Sequence, residues 1–242
     1  MPGIFDDNIE QFQNRVISFD QAYVNHWNQW LVTPQPERPN QLGVILRKWQ
    51  ACRPNRMRRT QEENIHSPPY LEDLVTQATP HLQTAMTFDI RLIASFTREV
   101  FSALRALWDI FEQLSYHGRA RGGIAGVVGI SKAVLLLSDG KIGPAFDSEV
   151  RGHLNIKTID SANQWIQALK IVNRDIEAFE RSNNTTLQNA LPQYAHLNSG
   201  RIYDMALGPR RGTDLQDKGP LMTQSGPVPF ILDGTICSTT AK

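Results

Sequence analysis

The sequence has few cysteines, no long apolar run and almost no net charge, and each of these absences excludes a class of protein. Its two cysteines, Cys52 and Cys237, lie far apart and form no CxxC pair, which argues against a disulfide framework, a structural zinc site and a thioredoxin-like motif. No run of about 18 apolar residues suggests a membrane-spanning helix, and the first residues lack the basic start and apolar stretch of a signal peptide. The sequence therefore predicts a protein of the reducing cytoplasm.

Motifs for metals and nucleotide cofactors are missing as well. None of the six histidines follows another at HxH or HxxxH spacing, so no metal site is expected. Neither a GxGxxG after a strand nor a GxxxxGK[ST] motif occurs, so no nucleotide cofactor is expected. Lys and Arg number 25 against 24 Asp and Glu, a net charge of +1. Any binding to nucleic acid must therefore depend on local clusters of basic residues.

Apolar residues recur at helical spacing over much of the 242-residue chain. This periodicity predicts one amphipathic helix within 8–31, a central helix over 89–114 and another that begins after Ser161. No βαβ alternation is visible, so the expected fold is all-α. Residues 1–208 are expected to form a helical domain, either a single body or two lobes around a cleft. Gly, Pro, Ser and Thr punctuate residues 209–242, which predicts an irregular tail.

A glycine-rich turn, Gly126-Val-Val-Gly129, opens an apolar helix predicted over about 131–137. Such a turn points unpaired backbone N–H groups out of the helix end, a geometry that suits a phosphate. Asp147 stands where a later helix would begin, a position that capping alone explains. The glycine-rich turn is therefore also explained as a plain interhelical turn, and Asp147 as a helix cap, and both interpretations remain open.

The order of residues along this region resembles the helix-hairpin-helix DNA glycosylase superfamily, the endonuclease III-like repair enzymes. In that family a Gly-Val-Gly hairpin grips the DNA backbone and leads into an apolar helix containing Ala, followed by a Gly, a Pro, a catalytic Asp, a Val and an Arg. The match covers roughly 30 residues, and the positions that carry it here are Gly126 to Gly129, Ala133, Gly140, Pro144, Asp147, Val150 and Arg151.

Two departures from the family pattern affect the expected chemistry. The hairpin is one residue longer, and the interval from Ala133 to Asp147 is about two residues shorter. In members with lyase activity a Lys stands two residues before the helix Ala, where this chain has Ser131. Lys132 is displaced by one position, which turns its side chain by about 100° around the helix. The resemblance therefore implies a monofunctional glycosylase, with Lys132 contacting phosphate.

The resemblance implies hydrolysis of the N-glycosidic bond of a modified base flipped out of double-stranded DNA. The substrate is either a damaged base, as in repair, or a modified base of phage DNA, as in defence. The hairpin of this superfamily can also hold a monovalent cation through backbone carbonyls. The implied site consists of Asp147 as the catalytic carboxylate and of the DNA-binding residues Gly126, Val128, Gly129, Ser131, Lys132, Arg121 and Arg151.

Three further features bear on this interpretation. Residues 47–59 carry six basic side chains and no acid, which suits either a DNA-tracking surface or an ordinary solvated segment. Asp204 lies in an apolar stretch and is expected to form a structural ion pair. The tryptophans are expected mainly in the core, although Trp27, Trp30, Trp49, Trp108 and Tyr116 are available for a base pocket.

Two rival functions remain open at this stage. One is a non-catalytic DNA-binding module that retains the hairpin, and the other is a helical protein-interaction domain in which the glycine-rich turn is only a loop. The glycosylase interpretation predicts that Asp147 lies at the mouth of a cleft that also receives the hairpin amides and Arg121. Burial of Asp147 under a helix would count against catalysis.

Overall fold

A computed structural model of the protein describes residues 3–52, 56–63, 68–116 and 125–210. The fold is all-α, as the periodicity predicts, and within these ranges the extended segments form only isolated bridges. The α-helices are α1 (Ile9–Ile17), α2 (Gln21–Leu31), α3 (Arg38–Lys48), α4 (Leu71–Ala85), α5 (Arg98–Phe111), α6 (Val127–Leu137), α7 (Ser148–His153), α8 (Ala162–Asn183), α9 (Leu187–Ala190) and α10 (Ser199–Leu207). Short 3-10 helices cover Gln35–Glu37, Ile90–Ser95, Glu112–Leu114 and Pro192–Tyr194.

The N-terminal region forms two helices, so the prediction of one helix within 8–31 is wrong. The break lies between α1 and α2, where the Asp20 side chain accepts a hydrogen bond from Ala22 N and caps α2. The Asp20 amide donates to the Pro209 carbonyl at 3.0 Å. A residue almost 190 positions away along the chain thus stabilises the break. The local pattern of apolar residues therefore does not predict it.

The expected central helix over 89–114 is also interrupted. A 3-10 helix over Ile90–Ser95 precedes Thr97, whose side chain accepts from Val100 N and caps α5. Downstream, the structure confirms Ser161 as the N-cap of α8, through its hydrogen bond from Gln164 N.

Helix α6 lies at the centre of the hydrophobic core. All of its residues except Val128 are buried, and it packs against α3, α5 and the 3-10 turn after α5. A helix that is apolar on every side is stable only when it is enclosed by other elements. The residues that follow the predicted hairpin, 130–137, therefore lie in the interior of the fold.

The C-terminal boundary of the described chain is bound to the N-terminal helices. Phe19 and Arg210 form an isolated antiparallel bridge, and the Arg210 guanidinium donates to the carbonyls of Arg15 and Met205 at 2.7 and 3.1 Å. It also donates to the Ala206 carbonyl. The helical body thus includes residues 209 and 210, and the rest of the predicted tail, 211–242, lies outside the described residues.

Candidate nucleic-acid interface and active site

The predicted hairpin, Gly126 to Gly129, forms the first turn of α6, whose N-cap is Gly126. The Gly126 carbonyl accepts hydrogen bonds from Gly129 N at 3.0 Å and from Ile130 N at 3.2 Å. The amides of Val127 and Val128 precede these first helical donors, so they point out of the helix end. Gly126 and Val128 are half-buried. These positions retain the backbone geometry that suits a phosphate.

Gly129 has a different reason to be glycine than the one the resemblance implies. A Cβ at this position would lie 2.7 Å from Cys52 Sγ and 3.3 Å from the Ala51 carbonyl oxygen. Gly129 is buried, so its small size allows α6 to approach the turn after α3. The structure does not present Gly129 to a DNA backbone.

Lys132 is also buried, with 4% of its surface exposed. Its Nζ donates to the Trp49 carbonyl at 3.0 Å and lies 5.3 Å from the Tyr23 ring centroid and 5.9 Å from that of Trp49. The two rings stack on each other at 5.2 Å. Desolvated aromatic faces of this kind stabilise an ammonium group. This placement corrects the expectation of a phosphate contact, because the ammonium faces the interior.

Ser131 connects α6 to the segment that carries the candidate catalytic residue. Its hydroxyl donates to the Val127 carbonyl at 2.7 Å and accepts from the Phe146 amide at 2.8 Å. Ser131 is 2% exposed, so the expected DNA contact is again replaced by an internal one. The hydroxyl fixes the backbone directly before Asp147.

Asp147 is the N-cap of α7, and its Oδ1 accepts from Val150 N at 3.1 Å. Its residue surface is 7% exposed, so the carboxylate does not lie at an open cleft mouth. Arg151 turns back onto the same cap, where its Nε donates to the carbonyls of Phe146 and Asp147, both at 3.2 Å. Its Nη1 donates to the Lys157 carbonyl at 2.8 Å. Arg151 therefore braces the backbone around Asp147.

An ion pair on α10 completes the surroundings of Asp147. Arg201 Nη1 lies 2.6 Å from Asp204 Oδ2, which confirms the predicted structural ion pair of Asp204. Asp204 Oδ1 accepts from Ala145 N at 3.0 Å. The Arg201 guanidinium lies 5.0 Å from the Phe19 ring centroid and 4.6 Å from that of Trp27. We call Lys132, Asp147, Arg201 and Asp204 the interior charge cluster.

The charges of the other three residues of this cluster act on the pKa of Asp204. Burial raises the pKa of Asp204 to about 6. The charge of Arg201 opposes this increase, the charge of Asp147 adds to it, and the charge of Lys132 lowers the pKa again. Two acids and two bases thus interact in a low-dielectric interior, where such interactions are strong. The sequence predicts an ion pair for Asp204, but neither its partner Arg201 nor its proximity to Asp147.

The loop between α6 and α7 is held by α10. Asp139 and Gly140 have positive φ values of 48° and 77°, a backbone conformation that glycine adopts most readily. A Cβ on Gly140 would lie 2.5 Å from the Arg201 Cβ. The turn therefore needs glycine both for its backbone conformation and for the close approach of α10.

The aromatic side chains considered for a base pocket belong mostly to the core. Trp27, Trp30, Trp49 and Trp108 are each at most 3% exposed, whereas Tyr116 is half-buried. Two open cavities with described linings lie elsewhere, one beside Phe5 and Asp175 and one beside Pro68 and Pro69. Neither is lined by Asp147.

The remaining sequence predictions concern residues outside the described ranges, metal sites and membrane-spanning helices. Arg121 lies outside the described residues, and the expected cation site is not tested. Within the described ranges no cluster of three or more His, Cys, Asp or Glu side chains suits a metal ion. The helices described there are all too short or too polar to cross a membrane.

In comparisons with known proteins, no family model, no curated protein and no solved structure matches the chain.

Proposed function

We propose that this protein is a DNA glycosylase-type enzyme that binds duplex DNA at the N-terminus of α6 and removes a flipped, modified base with Asp147. The observation that carries the proposal is the hydrogen bond of 2.8 Å from the Phe146 amide to Ser131 Oγ. It couples the helix that begins at the glycine-rich turn to the residue before Asp147. The resemblance of the motif order to the helix-hairpin-helix superfamily supplies the reaction class.

The chemistry requires one well-placed carboxylate. As the bond between C1′ and the base nitrogen breaks, the sugar becomes oxocarbenium-like and the electron pair leaves with the base. Asp147 stabilises the positive charge and accepts a proton from the water that attacks C1′, whose hydroxyl forms the new bond. The departing base takes up a proton from solvent, and Asp147 returns its proton to solvent, so that one water is consumed. The hydrogen bond from Val150 N to Oδ1 orients the carboxylate.

The conformation around Asp147 must change before this reaction takes place. Asp147 is 7% exposed, so a flipped nucleotide reaches its carboxylate only after neighbouring groups move. A substantial minority of proteins rearrange loops or domains in this way when they bind a partner. The substrate is a damaged base or a modified base of phage DNA, and we place the reaction in the cytoplasm, where both kinds of DNA occur.

The test is base release from duplexes that carry damaged, mismatched or phage-type modified bases, with the native protein beside Asp147→Asn. Asparagine is as good an N-cap as aspartate, so the variant keeps the bond to Val150 N and loses only the charge. Asp89→Asn is the matched control, because Asp89 also caps a helix, through Arg91 N. We expect base release to disappear in Asp147→Asn, to persist in Asp89→Asn, and DNA binding to persist in both.

A non-catalytic DNA-binding module is the second candidate, and the burial of Asp147 favours it. This candidate predicts binding that weakens with salt, no base release from any duplex, and affinity that is unaffected by Asp147→Asn. Base release by the native protein from any member of the panel rules it out.

A further inference from the structure

The basic segment of the sequence pairs with the chain that leads into the predicted hairpin. Met57 and Ser115 form an isolated antiparallel bridge. We call residues 56–58 together with 114–116 the basic ribbon. Their sequence separation of more than 50 residues hides this pairing from any local pattern. Two backbone hydrogen bonds flank the bridge, from Arg58 N to the Leu114 carbonyl at 2.8 Å and from Tyr116 N to the Arg56 carbonyl at 3.1 Å.

The basic ribbon lies beside the N-terminus of α6. Ala125 N donates to the Glu112 carbonyl at 2.7 Å, so the chain that departs after Tyr116 returns next to its starting point. On the other side, the turn at 51–52 packs against Gly129. The basic ribbon is therefore adjacent in the fold to the start of α6, whose first amides point out of the helix end.

Arg58 is held in place by neutral groups. Its Nε donates to the Gln113 carbonyl at 3.1 Å, and its guanidinium lies 5.6 Å from the Tyr116 ring centroid. Both contacts orient the side chain. A preorganised guanidinium loses little side-chain entropy when it binds a phosphate.

Two other arginines of the basic segment, Arg47 and Arg59, form ion pairs with Glu63. Glu63 lies 3.4 Å from Arg47 and 3.1 Å from Arg59, so one carboxylate offsets part of their charge. Arg56 and Arg58 are both half-buried and belong to the basic ribbon itself. Arg56 and Arg58 are thus the two basic residues of this segment that belong to the strand pairing beside Ser115.

We propose that Arg56 and Arg58 form a second phosphate contact on the DNA surface, next to the α6 amides, with Tyr116 as the positioning residue for Arg58. The inference rests on the proposed function for its partner, duplex DNA, and does not depend on catalysis. Together the two contacts grip the backbone at two points, which fixes the register of the duplex relative to Asp147.

The experiment measures the affinity of the full chain for a short fluorescent duplex with one stable abasic-site analogue, between roughly 50 and 200 mM salt. The variants are Arg56→Gln, Arg58→Gln, their double variant, Arg58→Lys and Tyr116→Ala. Arg174→Gln is the control, because Arg174 is exposed on α8, away from the basic ribbon. Circular dichroism and thermal unfolding establish that each variant is folded. If loss of the Gln113 contact unfolds Arg58→Gln, Arg56→Gln and Arg58→Lys provide the test.

We expect each Arg→Gln change to weaken binding about tenfold, the typical value of one charge-assisted hydrogen bond. The salt slope should fall by about one unit for each arginine lost. Arg58→Lys should keep the slope and lose part of the affinity, Tyr116→Ala should weaken binding a few-fold, and Arg174→Gln should bind as the native protein does.

The outcomes separate this inference from the enzymatic proposal. If the native protein binds DNA and the double variant binds with the same affinity and salt slope, the second contact is wrong, whether or not bases are released. If the double variant loses binding but the native protein releases no base from any duplex, the contact stands and the glycosylase proposal fails. If the native protein shows no salt-dependent binding to DNA, both are overturned.

Discussion

The interior charge cluster and the basic ribbon contain similar side chains in opposite surroundings. Arg201 is 1% exposed and pairs with Asp204 at 2.6 Å, whereas Arg58 is half-buried and contacts a carbonyl and an aromatic ring. An ion in the interior has given up its hydration and depends on its partner. A charge near the surface keeps much of its hydration and contributes little to stability. Substitutions in the cluster should therefore change folding, and substitutions in the ribbon should change DNA affinity.

The largest effect is expected from Arg201→Met, which leaves Asp204 buried without its cation. Breaking a buried ion pair on one side costs about 3–5 kcal/mol. The loss of folding free energy should be smaller at pH 5 than at pH 8, because Asp204 is largely protonated at pH 5 and then needs no counter-charge. Urea unfolding of the native protein and of Arg201→Met at the two pH values measures this loss. Combining the change with Asp204→Asn should restore part of the stability, and a loss that is equal at both pH values would show that the pair does not govern it.

The pH dependence of stability should reveal Asp204 itself. Its pKa is raised to about 6 in the folded protein, so the folded state holds this proton more tightly than the unfolded chain does. Its contribution to stability is full below about pH 4, decreases as the pH rises through about 6, and amounts to about 3 kcal/mol.

The measurement for this second prediction is the free energy of unfolding from pH 4 to pH 7.5, compared between the native protein and Asp204→Asn. The difference between the two proteins isolates the carboxyl from the other titrating groups. Asparagine retains an oxygen that accepts from Ala145 N. Parallel curves for the two proteins would mean that Asp204 titrates near its ordinary range in the folded state.

The contrast between interior and surface also shows what the sequence predicts. The apolar run after the glycine-rich turn predicts α6, and capping preferences identify the position of Asp147. The apolar stretch around Asp204 predicts an ion pair for this residue, but not its partner Arg201. These features depend on neighbours within a few residues, which a single sequence displays directly.

Features that depend on distant partners were missed or wrongly assigned. The break between α1 and α2 is stabilised by the Pro209 carbonyl, and the basic ribbon joins segments separated by more than 50 residues. The resemblance implies a phosphate contact for Lys132, but Tyr23 of α2 and Trp49 after α3 enclose its ammonium group. No local pattern carries such contacts, because they arise only when the helices pack.

A third prediction concerns the close contact behind the predicted hairpin. Gly129→Ala places a methyl group 2.7 Å from Cys52 Sγ, and overpacking of a core typically costs about 1–3 kcal/mol. Thermal unfolding should show a lower midpoint, and Cys52→Ala in the same chain should recover much of it. DNA affinity should change less than stability, because Gly129 faces the interior. A large loss of affinity in a variant of native stability would instead return Gly129 to the DNA surface.

The smallest effect on stability is expected from Glu63→Gln beside the basic ribbon. Glu63 pairs with Arg47 and Arg59 at 3.4 and 3.1 Å, and its side chain is 26% exposed. Partly exposed pairs of this kind contribute up to about 1 kcal/mol, so the free energy of unfolding should fall by no more than that. Affinity for DNA should instead rise a few-fold at low salt, because the change removes a negative charge from a basic surface. If Glu63→Gln destabilised the protein as strongly as Arg201→Met while leaving DNA affinity unchanged, charges in this segment would serve the fold, and the division between interior and surface would fail.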